Sequence, residues 1–255
     1  MAHFYDCKGE SPMFLEDVGT PSQARKYSRY AYPSVTTVLG ICKDPFIDGI
    51  WKPKKITEIA RDKPSLDWRD VERLTYGVRE HPLTGDQIES SEFGTAVHKS
   101  IEEMISVQFL GDDPTEPTPF YDWGYPFVDW VVENGIKPVS VEYIISSRRI
   151  KIAGSVDFVG YIDVDNDSKL FLADYKCRSN TGGRAKTYPK DCQQLAIESY
   201  MLMKHHKLDY LPACLSVTID CDTKAHYHKW WTPQEMEKGI KVAKKCAELF
   251  WLTRM

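Results

Sequence analysis

The stretch from Ile152 to Lys176, IAGSVDFVGYIDVDNDSKLFLADYK, constrains the rest of the chain most. Two runs rich in β-branched and aromatic residues flank a polar turn at Asp163 to Ser168, the pattern of a β-hairpin. Gly154-Ser155-Val156-Asp157 falls in the first strand, and Asp174-Tyr175-Lys176 ends the second. Side chains two apart on a strand share a face, so Asp174 and Lys176 point the same way. If Asp157 faces them across the hairpin, two carboxylates and an ammonium meet on one surface. Acidic oxygens in such a group suit Mg²⁺ or Mn²⁺, and a neighbouring cation can orient a water or steady a developing charge. A metal-dependent phosphodiester hydrolase needs that combination. The turn itself carries alternating acids like a calcium loop. Ser168 stands where that loop requires glycine, and the flanks are strand-like, so it reads as a solvated hairpin turn.

With 255 residues the chain can bury a full core. Its 42% hydrophobic and 27% charged content is that of a folded protein rather than a disordered one. A net charge of −4 is the wrong sign for coating nucleic acid non-specifically, although it leaves room for a local basic groove. Seven cysteines, Cys7, Cys42, Cys177, Cys192, Cys214, Cys221 and Cys246, include no Cys-x-x-Cys. They read as free thiols in a reducing compartment. No run has the length of a membrane span. The opening MAHFYDCKGESPMFLED is neither a secretory signal nor a transit peptide, so the expected location is cytoplasmic.

Residues 1 to 29 lack a period and are expected as an extended arm. Ser34 should cap a short helix, VTTVL, that Gly40 ends. Residues 44 to 92, punctuated by four prolines, predict several short helices. There Lys52, Lys54 and Lys55 read first as a solvated face and second as phosphate contacts. Ser90 to Phe109 is the first long helix, with Ser91 as its expected cap, Gly111 past its end, and Val97, Ile101, Met104 and Ile105 on its apolar side. His98 adjoins that side. A hydrogen-bonded core histidine is the ordinary reading, and the hairpin downstream raises a functional one. A helix from Asp122 to Glu133 and a strand from Val139 to Ser147 follow, with Glu142 in the strand either on a solvent face or at a site. Arg178, Arg184, Lys186 and Lys190 form a basic loop directly after the charged group, where phosphate contacts are expected.

Asp191 should cap a helix to about Lys204. On it Gln193 and Tyr200 share a face, and Gln194 lies one position round. A strand from Ala213 to Asp220 and a capping box, Thr232-Pro233-Gln234-Glu235, lead into a last helix with Met236, Ile240, Ala243, Leu249 and Phe250 inward. The expected fold is α/β, a mixed central sheet flanked by helices. It forms one domain over residues 30–255, with a helical addition at 30–89 and a core at 90–255.

GTAVH followed by IE, then VEY, GSVD, DYK and QQLAIESY resembles, in this order, the RecB-like branch of the PD-(D/E)XK nucleases, whose core is restriction-endonuclease-like. YPSVTTVL and the stretch from Gln194 onward are similar more specifically to phage exonucleases and the mitochondrial genome maintenance exonucleases. The resemblance spans roughly residues 30 to 250. It implies that Asp157 and Asp174 bind Mg²⁺ or Mn²⁺ together with His98 and the backbone carbonyl of Tyr175. Lys176 would position or activate the attacking water, and Glu142 would be the first-strand acid. It also implies 5′-phosphate products and DNA, as single strands or duplex ends, as partner. The expected activity is a DNA exonuclease of recombination, repair or replication, in a bacterial or phage-infected cytoplasm and with a monomer as default. A structure-specific endonuclease and an inactive DNA-binding module are the alternatives.

One departure stands out. The family pairs Gln with Tyr four residues later, but Gln194 plus four is Glu198. Either Gln193 and Tyr200 make the pair at the DNA end, or Glu198 has replaced the aromatic. Some relatives hold an iron–sulfur cluster through one early and three closely spaced late cysteines. Cys214, Cys221 and Cys246 lack that spacing, so no iron–sulfur cluster is expected.

Overall fold

The computed structural model describes residues 2–9, 11–41, 50, 52–114, 116–165, 167–179 and 186–254. Where an extended arm was expected, β1 (Phe4–Asp6) lies at the centre of a small antiparallel sheet, between β2 (Met13–Phe14) and β3 (Ala31–Pro33). α1 (Pro21–Tyr27) lies between β2 and β3 in the chain, and its Thr20 side chain caps it by accepting the Gln23 N–H. Strands of two or three residues are too short to carry a period. They are held instead by distant contacts, since Phe4, Val18 and Ala24 belong to one core with Leu172 and Leu195.

α2 (Val35–Leu39) is capped by Ser34, whose hydroxyl accepts the Thr37 N–H, and it ends at Gly40. α3 (Lys52–Asp62) buries none of its residues, and α4 (Trp68–Tyr76) follows it. A hairpin that the charged sequence did not signal, β4 (Val78–Glu80) with β5 (Gln87–Glu89), leads into α5 (Ser90–Ile105). The capping contact at this end is made by Glu92, which accepts the Glu89 N–H at 3.0 Å, and not by Ser91. A π-helical turn, Ser106–Leu110, extends α5 to Gly111, whose φ of 88° only glycine adopts without strain.

α6 (Tyr121–Glu133) precedes an antiparallel run of β6 (Lys137–Ser147), β7 (Ile152–Val164) and β8 (Asp167–Arg178). α7 (Pro189–His205) then crosses over, so that β9 (Ala213–Asp220) pairs parallel to β8. Asp191 is not the cap of α7: two residues into the helix, it accepts the Tyr188 N–H at 2.7 Å. An unexpected edge strand, β10 (His226–Trp230), pairs antiparallel to β9, and α8 (Pro233–Arg254) closes the chain. The result is an α/β fold whose mixed five-stranded sheet, in the order β10-β9-β8-β7-β6, is flanked by helices.

The period of two along β8 divides the core. Leu170 and Leu172 pack on the side of α2, α7 and α8, while Phe171, Ala173 and Tyr175 pack on the side of α5 and α6. On α8, Met236, Ala243 and Phe250 are buried and Ile240 is partly so, but Leu249 is exposed. One residue on a helix is about a 100° turn, which carries Leu249 off the stripe that Cys246, Ala247 and Phe250 occupy. Among the described residues, no helix is long and apolar enough to cross a membrane.

Candidate metal centre

Three elements converge at the middle of β7, where its pairing with β8 stops. α5 brings His98, β6 brings Glu142 and β7 brings Asp157, with one ligand atom from each within 4.8 Å of the others. The registers Val141 to Phe158 and Tyr143 to Val156 set Glu142 directly across from Asp157. Glu142 has a φ of 47°, in the left-handed region where a residue other than glycine is strained by about 1–3 kcal/mol. Its carboxylate is fixed by the Ser155 hydroxyl, which donates to Oε2 at 2.6 Å.

The β7–β8 ladder ends at Phe158 and Ala173, one rung before Asp157 and Asp174 would face each other. There the Asp157 side chain takes over the role of a strand partner. Its Oδ2 accepts the backbone N–H of Tyr175 at 2.8 Å and lies 3.5 Å from His98 Nδ1. The His98 ring meets the Tyr175 ring edge-on, with centroids 5.5 Å apart.

Asp174 is 1% exposed. Its Oδ1 accepts from Lys176 Nζ at 2.6 Å and from Gln194 Nε2 at 3.0 Å. Its Oδ2 is buried and has no hydrogen-bond partner among the described residues. Burial pushes both Asp157 and Asp174 up to about 6, against the pull of Lys176. Burial alone would lower Lys176, but Asp174 and Asp157 outweigh it and hold the ammonium charged. Burial, then Lys176, lowers His98 and keeps its ring neutral, as a metal ligand must be. Burial also drives Glu198 well upward, reinforced by Asp174 and Asp157.

These residues fit a cation. Carboxylates crowd a space that is closed at Asp174 and open to solvent at Glu142, with one ammonium among them, and the Asp174 Oδ2, unpartnered among the described residues, is an acceptor that a metal would satisfy. His98, Glu142 and Asp157 could hold a metal ion, and a set of oxygens with one imidazole suits several divalent metals. The resemblance implied Asp157 and Asp174 as ligands together with His98 and the Tyr175 carbonyl. The structure brings ligand atoms of Asp157, His98 and Glu142 together, and Asp174 meets Lys176 and Gln194.

On α7 the two glutamines lie in different surroundings. Gln194 is buried at the site, whereas Gln193 lines a separate cavity with Lys229, Trp231 and Glu235. Tyr200 packs beneath the ammonium groups of Lys244 and Lys204, at 3.7 and 5.7 Å from its ring centre, and so is not a partner of Gln194. Glu198, one turn beyond Gln194 and the residue that the sequence offered in place of the aromatic, is buried. The spacing of four from Gln194 was its signal.

Arg178 bonds Asp191 at 2.7 Å and stacks on the Tyr188 ring at 4.6 Å. With Lys186, Arg79, Tyr76 and Tyr188 it lines a polar cavity of about 640 Å³ just past Lys176. Arg184 lies outside the described residues.

No family model matches this chain, and no curated protein matches it. Among solved structures, one described as the crystal structure of SSO0001 is similar over 86% of this chain and 74% of its own, at 14% sequence identity and a TM-score of 0.37.

Proposed function

We propose that the chain is a metal-dependent deoxyribonuclease with a PD-(D/E)XK core, an exonuclease that hydrolyses phosphodiester bonds of single-stranded DNA or of duplex ends. The observation that carries this reading is the pairing of two groups: His98, Glu142 and Asp157 within ligand distance of one another, and Lys176 held 2.6 Å from Asp174. His98, Glu142, Asp157 and the Tyr175 carbonyl would hold Mg²⁺ or Mn²⁺, with Asp174 as a further carboxylate of the set. A bound divalent ion supplies positive charge at the phosphodiester and acidifies a water.

The remaining work falls to the protein. Lys176, anchored by Asp174, is the cation that orients the attacking water and stabilises charge growing on the phosphoryl oxygens. Gln194 fixes Asp174 from the opposite side. In the cavity past Lys176, the cations Arg79, Arg178 and Lys186 suit backbone phosphates, and the rings of Tyr76 and Tyr188 suit stacking on bases. A chain of net charge −4 gathers positive charge here locally.

The test is digestion of a linear single strand labelled at either end, beside a circular single strand, with Mg²⁺, Mn²⁺ or EDTA and with Lys176→Ala as control. Metal-dependent loss of the linear strand alone is expected, and the label gives its polarity. Cutting of the circle would replace the exonuclease by an endonuclease. DNA binding without cleavage would leave only a binding module.

A further inference from the structure

The chain from Lys186 to Pro189 is a wall between two cavities. Tyr188 is extended, and side chains two apart in extended chain share a side. Lys186 and Tyr188 accordingly line the polar cavity past Lys176, while Thr187 and Pro189 line the separate cavity of Gln193. Arg178 fixes this wall. It donates to the Lys186 carbonyl and, at 2.7 Å, to Asp191, which in turn accepts the Tyr188 N–H at 2.7 Å. A strand lying in the first cavity is therefore one thickness of backbone from the second.

The second cavity, of about 340 Å³, differs from the first in chemistry. Cys192, Trp231 and Val242 line it with apolar surface. Beside it α8 closes on α7, because a Cβ on Gly239 would meet Ala196 Cβ at 2.9 Å and Gln193 Cα at 3.4 Å. Of its two ammonium groups, that of Lys229 is already neutralised, 2.9 Å from Glu235 and 3.9 Å from the centre of the Trp231 ring. The other belongs to the exposed Lys238. The half-buried Gln193 side chain makes no hydrogen bond among the described residues, so its amide is open to a ligand. Such a space suits a flat, uncharged group with a polar edge: apolar surface takes its faces, and an amide that both donates and accepts takes its edge. A nucleobase has that form.

We infer that the cavity of Gln193 is a base-binding subsite, which takes one nucleobase of the single strand whose backbone lies in the cavity past Lys176, turned over the wall from Lys186 to Pro189. The inference rests on the DNA reading above and adds to it a contact that phosphates do not make. On one side of the wall Arg79, Arg178 and Lys186 meet the charged backbone. On the other, Gln193 and Val242 meet a neutral base.

The experiment is titration of a labelled single strand with the full chain, read by anisotropy in EDTA so that nothing is cut. Val242→Trp fills the cavity and should weaken binding about 5–100-fold, the range of one base contact. Gln193→Ala removes the amide and should weaken it about 3–10-fold. Neither should change the dependence of affinity on salt, because no phosphate contact is lost. On a strand with abasic sugars at every position, both variants should bind as the unaltered chain does, since no base is there to enter. Circular dichroism and the melting temperature show that each variant is folded. Unchanged affinity for the ordinary strand in either variant, an equal loss on the abasic strand, or a reduced salt slope would each overturn the inference while leaving the DNA reading intact. Failure of the unaltered chain to bind either strand would overturn that reading, and this inference with it.

Discussion

The two halves of β8 are nearly alike in burial, yet differ in pairing and in residue type. From Phe171 to Ala173 the strand is paired on both sides, to β7 and to β9, and every side chain is apolar. From Asp174 to Lys176 it is paired only to β9, through Ser216, Val217 and Thr218. The missing partner is β7, whose Asp157 carboxylate accepts the Tyr175 N–H that a ladder carbonyl would otherwise take. The loss of β7 pairing from Asp174 onward therefore opens the space where charges gather. The first half is ordinary apolar core. In the second half, Asp174 and Lys176 bring charge to a place where such a core would hold none, and burial makes that costly.

Four predictions test this contrast. Phe171→Ala, in the apolar half, should cost about 3–5 kcal/mol of folding stability, measured by denaturant unfolding, with metal affinity of the folded fraction unchanged. If metal affinity fell with it, the two halves would not be separable. Lys176→Ala should lower cleavage by about 10²–10³-fold while Mn²⁺ still binds, as single-turnover rates and calorimetry would show. Asp174→Asn should abolish cleavage yet raise the stability of the metal-free protein at pH 8 by about 1–3 kcal/mol, because a buried carboxylate held up to about 6 is costly to ionise. A loss of stability there would mean that the Lys176 contact outweighs burial. Lys186→Ala should weaken single-strand binding only a few-fold and reduce the salt slope by about 0.7, read from anisotropy at several salt concentrations.

A fifth prediction concerns pH. Asp157 and Asp174 are both raised to about 6 in the folded chain, so the fold binds more protons than the unfolded chain between roughly pH 4 and 6. The stability of the metal-free protein should then fall as pH rises through that window. Mn²⁺ affinity should rise over the same range, since the ion displaces those protons. Melting temperatures from pH 4 to 8, with and without Mn²⁺, would show the two curves separating as pH rises. A stability that rose with pH through the window would contradict the burial of these acids.

Much of this was written in the sequence, for local reasons. The hairpin, the strand from Ala213 to Asp220, the Ser34 cap and the box at Thr232 and Glu235 all follow from period, turn chemistry and side-chain oxygens within four residues of their targets. The same logic placed His98 beside an apolar helix stripe and put Asp174 and Lys176 on one face.

Local rules failed where contacts were long-range or elements short. β1 and β2 have too few residues for a pattern, and β10 is an edge strand with intermediate burial along most of its length. Leu249 is apolar by composition and exposed by a single step round the helix.

The sequence by itself determined which residue types the chain could bring to a site, because period and capping act over a few neighbours. Only the tertiary structure decided which atoms meet. The strained turn of Glu142 toward Asp157, the different surroundings of Gln194 and Gln193, and the burial of Glu198 against Gly154 all depend on residues between 15 and 44 positions apart or on the angle at which α7 crosses the sheet. That angle is set by packing the whole core, and no stretch of sequence contains it.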